Sequence, residues 1–140
     1  MAEMEQEVLV IQVTITGETR VRGGTGEAGM VAFTGVVDCP NFHGVILPGG
    51  VDTQRMTQGH LTLSARYMLE GTDRDGRPCR IFIENNGETD DPAAPMVTAP
   101  VLYTDSPALR WLETAALRGV LEPRPDGGVN IHIFARWPGP

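Results

Sequence analysis

The sequence has no lysine. All eleven of its basic residues are arginine, so a Schiff-base lysine, a pyridoxal-phosphate aldimine and a Walker-type phosphate lysine are excluded together. Cysteine is almost as scarce. Cys39 and Cys79 alone cannot make a disulfide scaffold, and the reading is a cytoplasmic protein with reduced thiols, a single Cys39–Cys79 bridge staying open. No apolar run approaches the ~20 residues of a membrane-spanning helix. The acidic start, Met1 to Glu7, has no basic region of the kind that opens a secretory signal. Positive charge is also in deficit: 18 acidic residues against 11 basic ones leave a net charge of −7. That field repels phosphate backbones and argues against nucleic acid as a partner.

What is present describes one β domain. The 140 residues are 41% apolar, enough for a single core, and 17 Gly with 11 Pro point to many turns and little helix. Alternating or β-branched runs predict strands over Val8 to Thr16, Met30 to Val37, Phe42 to Leu47, Leu61 to Leu69, Cys79 to Asn86, Met96 to Thr104, Gly119 to Glu122 and Val129 to Trp137. Glu18 to Gly29 and the segment after Pro48-Gly49-Gly50 read as polar loops. One short helix is expected near residues 107–118, capped by Asp105 or Ser106 and stopped by Gly119. Its Leu109 and Leu112 would plug one barrel mouth, with Trp111 at the rim. The expected fold is all-β, an antiparallel β-barrel of about eight strands, as a single domain over 1–140 with 1–6 as a flexible tail. Such a barrel either fills its interior with side chains or holds one small ligand.

Several motifs invite chemistry. Gly24-Thr25-Gly26-Glu27-Ala28-Gly29 fits G-x-G-x-x-G, but a strand rather than a helix follows it, so it reads as a loop between strands and not a dinucleotide site. Cys39 and His43 are two candidate metal ligands without a third, and no metal is expected. Ser64 and Ser106 lack the G-x-S-x-G context of a nucleophile elbow. Two glycines before Asp52 would deliver that carboxylate to a barrel rim, or Asp52 is an ordinary turn residue. Arg66 lies opposite the Leu61, Leu63, Ala65, Tyr67, Leu69 face. It belongs either to a solvent face with surface ion pairs or to a polar patch inside the barrel with Asp52 or Glu84 as its partner. Glu84 and His132 lie at comparable points of their strands, with Phe82 on the Glu84 face.

Leu47-Pro48-Gly49-Gly50-Val51-Asp52, Leu63-Ser64-Ala65-Arg66-Tyr67-Met68-Leu69, Asp75-Gly76, Ile81-Phe82-Ile83-Glu84-Asn85-Asn86-Gly87 and Trp111-Leu112 follow one another in the order found in the domain-of-unknown-function 3237 family. The chain resembles that family from Val8 to Phe134. The resemblance implies a compact antiparallel barrel with a central cavity. A fungal member of the family is a cofactor-free cyclase of phenalenone biosynthesis that directs an intramolecular oxa-Michael addition. The resemblance makes Asp52 and Arg66 the polar positions to test and matches Trp111 to the family's Trp-Leu. Thr53 stands where the family commonly has an aromatic, and Glu113 where it commonly has Asn, so substrate identity does not transfer.

The expectation is therefore a small-molecule barrel. It acts as a cofactor-independent isomerase, cyclase or lyase on a carbonyl compound, with Asp52 as base and Arg66 stabilising an enolate. Tyr67, Phe82, Glu84, Trp111 and His132 would contact substrate. The alternatives are a binding barrel without chemistry and an oligomeric structural module. The expected partners are a small-molecule ligand and further copies of the chain, with no membrane and no cofactor.

Overall fold

The computed structural model describes residues 4–137. They form nine antiparallel strands: β1 (Met4–Arg22), β2 (Glu27–Cys39), β3 (Phe42–Ile46), β4 (Val51–Thr57), β5 (His60–Asp73), β6 (Pro78–Thr89), β7 (Val97–Thr104), β8 (Ala116–Pro123) and β9 (Val129–Trp137). The hydrogen-bonded order runs β1-β9-β8-β7-β6-β5-β3-β2, and β1 pairs back onto β2, so the sheet closes.

Nine strands make eight staves. β3 and β4 each pair with β2 on one side and β5 on the other, so they share one position in the wall. Leu47-Pro48-Gly49-Gly50 interrupts that stave. Gly49 adopts a φ of +106°, which favours glycine, and Gly50 presses its carbonyl onto the Phe33 N–H at 3.2 Å.

The sequence reading needs four corrections. Residues 18–29 are not loop: β1 and β2 continue as a hairpin to Arg22 and Glu27, and the turn is confined to residues 23–26. Val51–Thr57 is a strand, hidden because its alternation is polar on both faces. The helix expected over 107–118 is one 3-10 turn, Arg110–Glu113. From Ala116 onward β8 pairs residue by residue with β9, and that ladder, which closes the barrel, outweighs helix propensity. Met4 to Gln6, expected in a flexible tail, pair with Trp137 to Ala135 in the β1–β9 ladder; residues 1–3 lie outside the described residues.

The 3-10 turn closes one end of the barrel. Leu109 and Leu112 are buried in the core, Trp111 packs half-buried beside them, and Ser106 Oγ donates to Asp73 Oδ2 at 2.6 Å, tying the turn to the end of β5. This end is filled: Leu9, Ile11, Phe42, Leu69, Ile81 and Ile133 are fully buried against one another. Both cysteines are free thiols.

Candidate functional site

Toward the opposite end the interior opens into a cavity of about 270 Å³. Val13, Val31, Phe33, Leu63, Ala65 and Ile131 wall it, and Ile15, Glu18 and Arg20 form its exposed rim. The room comes from side-chain size. Ala65 sits between Asp52 and Asn85 in the β4–β5–β6 ladder, and its single methyl leaves a gap between two inward polar groups. Two strand spacings put the Cα atoms of Asp52 and Asn85 roughly 10 Å apart.

Asp52 is held asymmetrically. Gln54 Nε2 donates to Asp52 Oδ2 at 2.9 Å, while Oδ1 is buried with no hydrogen-bond partner among the described residues. Gln54 in turn accepts from Arg20 Nη2 at 3.0 Å, and Arg20 Nε donates to Glu18. Arg20 reaches that position by lying across Gly29, where a Cβ would stand 2.7 Å from its Nη1. Burial raises the Asp52 carboxyl above the usual carboxylate range. The Gln54 hydrogen bond, the Ser64 backbone and the Arg20 charge offset part of that rise.

Three more interior polar groups lack partners among the described residues: both side-chain atoms of Asn85, Thr98 Oγ1 and the Tyr67 hydroxyl. Asn85 lines the cavity, and Thr98 and Gly119 face each other in the β7–β8 ladder beside it. Tyr67 lies deeper, its ring edge-on to Phe33 at 5.4 Å between centroids. Burial pushes its hydroxyl far up, so it stays protonated.

Of the seven site residues expected from sequence, two point inward. Asp52 lines the cavity and Tyr67 packs behind Phe33. Arg66 is on the outer face, 63% exposed, with its Nε donating to Glu84 Oε1 at 3.0 Å, so the interior patch joining Arg66 to Asp52 does not form. Glu84 also accepts from Asn86 Nδ2 at 3.0 Å. Phe82 stacks outside on Tyr103 with centroids 6.2 Å apart. His132 is outside between Glu7 at 2.9 Å and Glu122 at 3.1 Å. Trp111 belongs to the closed end, away from the cavity. Glu113 accepts the Thr104 N–H at 3.0 Å at that same end, so its departure from the family pattern does not charge the cavity.

Arg20, Gln54, Asn85 and Thr98 escaped the sequence reading. Asn85 had a signal. It continues the inward alternation of Ile81 and Ile83, so a carboxamide was due inside an apolar face. Arg20 had none, because its segment reads as loop. Among the described residues no three His, Cys, Asp or Glu side chains converge as metal ligands, and no helix is long and apolar enough to cross a membrane.

Comparison with known proteins agrees with this architecture. A UPF0311 protein of Clostridium acetobutylicum is 35% identical over 97 residues, covering 57% of this chain and 59% of that protein's length. The crystal structure of a protein of unknown function from the same organism superposes with a TM-score of 0.81 at 24% identity, over 98% of this chain and 99% of that one. The crystal structure of an enzyme from Penicillium herquei superposes with a TM-score of 0.65 at 16% identity, over 95% and 96%. Residues 6–135 match the family described as "Protein of unknown function (DUF3237)", and to that family the chain belongs.

Proposed function

We propose that the barrel is a cofactor-independent enzyme, an isomerase, cyclase or lyase, that moves a proton on a small neutral carbonyl compound with Asp52 as the general base. One observation carries this reading. Asp52 sits half-buried in the cavity wall, with Oδ2 held by Gln54 and its buried Oδ1 unpartnered among the described residues. A carboxylate whose proton affinity is raised by burial is a stronger base than one in water. In the proposed step Oδ1 takes the proton α to the carbonyl, and the electron pair moves onto the carbonyl oxygen. Asn85 Nδ2–H, facing Asp52 across Ala65, stabilises the charge that develops there. Arg66 has no part in the step. That the fungal neighbour is an enzyme supports catalysis as the kind of function.

The test is deuterium exchange. A panel of neutral cyclic ketones and enones is incubated with the protein in D2O and the α-proton signals are followed by NMR. Accelerated exchange that disappears in Asp52→Asn is the expected result. Ligands that bind but exchange no faster with wild type than with Asp52→Asn would remove the catalytic role.

One feature favours a binding barrel without chemistry as a second reading. Beyond the rim pair Glu18 and Arg20, Asp52 is the single ionisable side chain lining the cavity among the described residues. In that case Asp52 anchors a ligand donor, and the compound is recovered undeuterated from the same experiment.

A further inference from the structure

We infer that the cavity selects a neutral ligand presenting a hydrogen-bond acceptor and donor side by side, the edge of a lactam or cis-amide, and that Asn85 is the residue that reads it. The inference rests on the cavity as a ligand site, proposed above, but not on catalysis.

Asn85 is 1% exposed, lines the cavity, and leaves both Oδ1 and Nδ2 without a partner among the described residues. A primary carboxamide carries its donor and acceptor in one plane on one edge. A single group that satisfies both must offer the complementary pair at the same spacing, and a lactam or cis-amide does so through two parallel hydrogen bonds. A lone ketone answers Nδ2 and leaves Oδ1 stranded, at the full cost of a desolvated acceptor.

The residue facing that edge offers it no side-chain partner. Facing it from β8 is Gly119, whose added Cβ would stand 3.2 Å from Oδ1 and 3.5 Å from Nδ2 and would collide with Thr98 Oγ1. Thr98 Oγ1, beside Gly119, is itself without a partner among the described residues.

Charge excludes the obvious competitor, a carboxylate. The Arg20 charge is shared at the rim with Glu18 and Gln54, so it compensates the Asp52 carboxylate in the wall only in part. An anion would meet Asp52 Oδ1, whereas a neutral donor satisfies it. Size sets the scale: about 270 Å³ equals roughly nine water molecules at ~30 Å³ each, the room for one substituted ring.

The experiment titrates four probes of similar size into isotope-labelled protein and reads NMR shifts: 2-pyridone, N-methyl-2-pyridone, benzoate and toluene. The expected result is 2-pyridone binding about tenfold more tightly than its N-methyl analogue, the worth of one buried hydrogen bond. Benzoate is expected not to bind, and the Asn85 side-chain amide should shift with 2-pyridone. In Asn85→Leu the preference should fall below about twofold while toluene still binds. The comparison of the two pyridones in wild type stands even if that variant does not fold. Equal affinity for the two pyridones, or tighter binding of benzoate, overturns the inference. If toluene binds without discrimination between the pyridones, the cavity survives as a ligand site and only the role of Asn85 falls. If no probe perturbs the residues of the cavity wall, both readings fall.

Discussion

Asp52 and Arg66 occupy adjacent rungs of the β4–β5 ladder and point to opposite sides of the barrel wall. Asp52 pairs with Ala65 and Arg66 with Val51, so one residue of register separates an interior carboxylate from an exterior guanidinium. Period-two alternation makes this unavoidable: Ala65 and Tyr67 face inward, therefore Arg66 between them cannot. Asp52 and Asn85 are then polar groups that line the interior on either side of Ala65, and Arg66 pairs with Glu84 in water.

Asp52→Asn should stabilise the protein at neutral pH. The folded carboxyl titrates above its unfolded value of about 3.9, so the folded state binds the proton more tightly. The stability linked to this group is therefore complete below the unfolded pKa and is lost as pH rises through the folded pKa. Asparagine keeps the Gln54 contact through its own oxygen and removes the buried charge. A gain of about 1 kcal/mol, roughly 3 °C in Tm, is expected at pH 7, shrinking to nothing near pH 3.5. Thermal unfolding of both proteins across that range checks it, and a gain independent of pH would contradict the burial of charge.

Gly29→Ala should alter the site while costing little stability. The new methyl would press on the Arg20 guanidinium, the far end of a flexible side chain at an exposed rim, and displace it from Gln54. With the Arg20 charge moved away, one influence that lowers the Asp52 pKa weakens. The Asp52 carboxyl should titrate higher than in wild type, with a stability change of about 0.5 kcal/mol or less. Carbon-13 NMR titration of the carboxyl and urea unfolding give the two numbers.

Gly119→Ala should behave differently, although it is the same substitution. Here the methyl would overlap Thr98 Oγ1, on a buried β-branched side chain held in the adjacent strand of the ladder. Threonine at that position has few rotamers to retreat into. A loss of about 1–3 kcal/mol in urea unfolding is expected, the range for overpacking an interior. A neutral result would mean that Thr98 rotates freely into the cavity, which would also change the view of Asn85.

The legible part of this fold was the part written in apolar alternation. Leu61 to Leu69 and Cys79 to Asn86 announce their inward faces because Leu, Ile and Tyr recur at every second position. The stave carried by β4 stayed hidden because Asp52 and Gln54 occupy its inward positions, and a polar interior strand has the composition of a loop. That concealment and the candidate site have one cause. The helix failed for a nonlocal reason: Ala116 to Arg118 favours helix alone, and only the β9 ladder makes it a strand. Asp52 was found through its glycines. Asn85 follows the same alternation as Ile81 and Ile83, whereas Arg20 required knowing which strands meet.

His132 offers a pH test that bears on the wall and not on the cavity. Partial burial pulls its pKa down, but hydrogen bonds to Glu122 and Glu7 and their charges outweigh that and leave it raised. The stability it contributes is complete below its unfolded pKa of about 6.5 and is lost as pH rises through the higher folded value. His60, raised by Asp90 and Glu88, adds a slope of the same sign. The difference between wild type and His132→Gln isolates the single ring. Its side chain is 24% exposed, so solvent screening limits the effect to about 0.5 kcal/mol. Wild type should exceed the variant by that amount at pH 6 and approach it by pH 8.5. Because Glu7 lies on β1 and Glu122 on β8, His132 bridges three neighbouring staves, and a flat difference across pH would mean that these ion pairs do not hold the seam together.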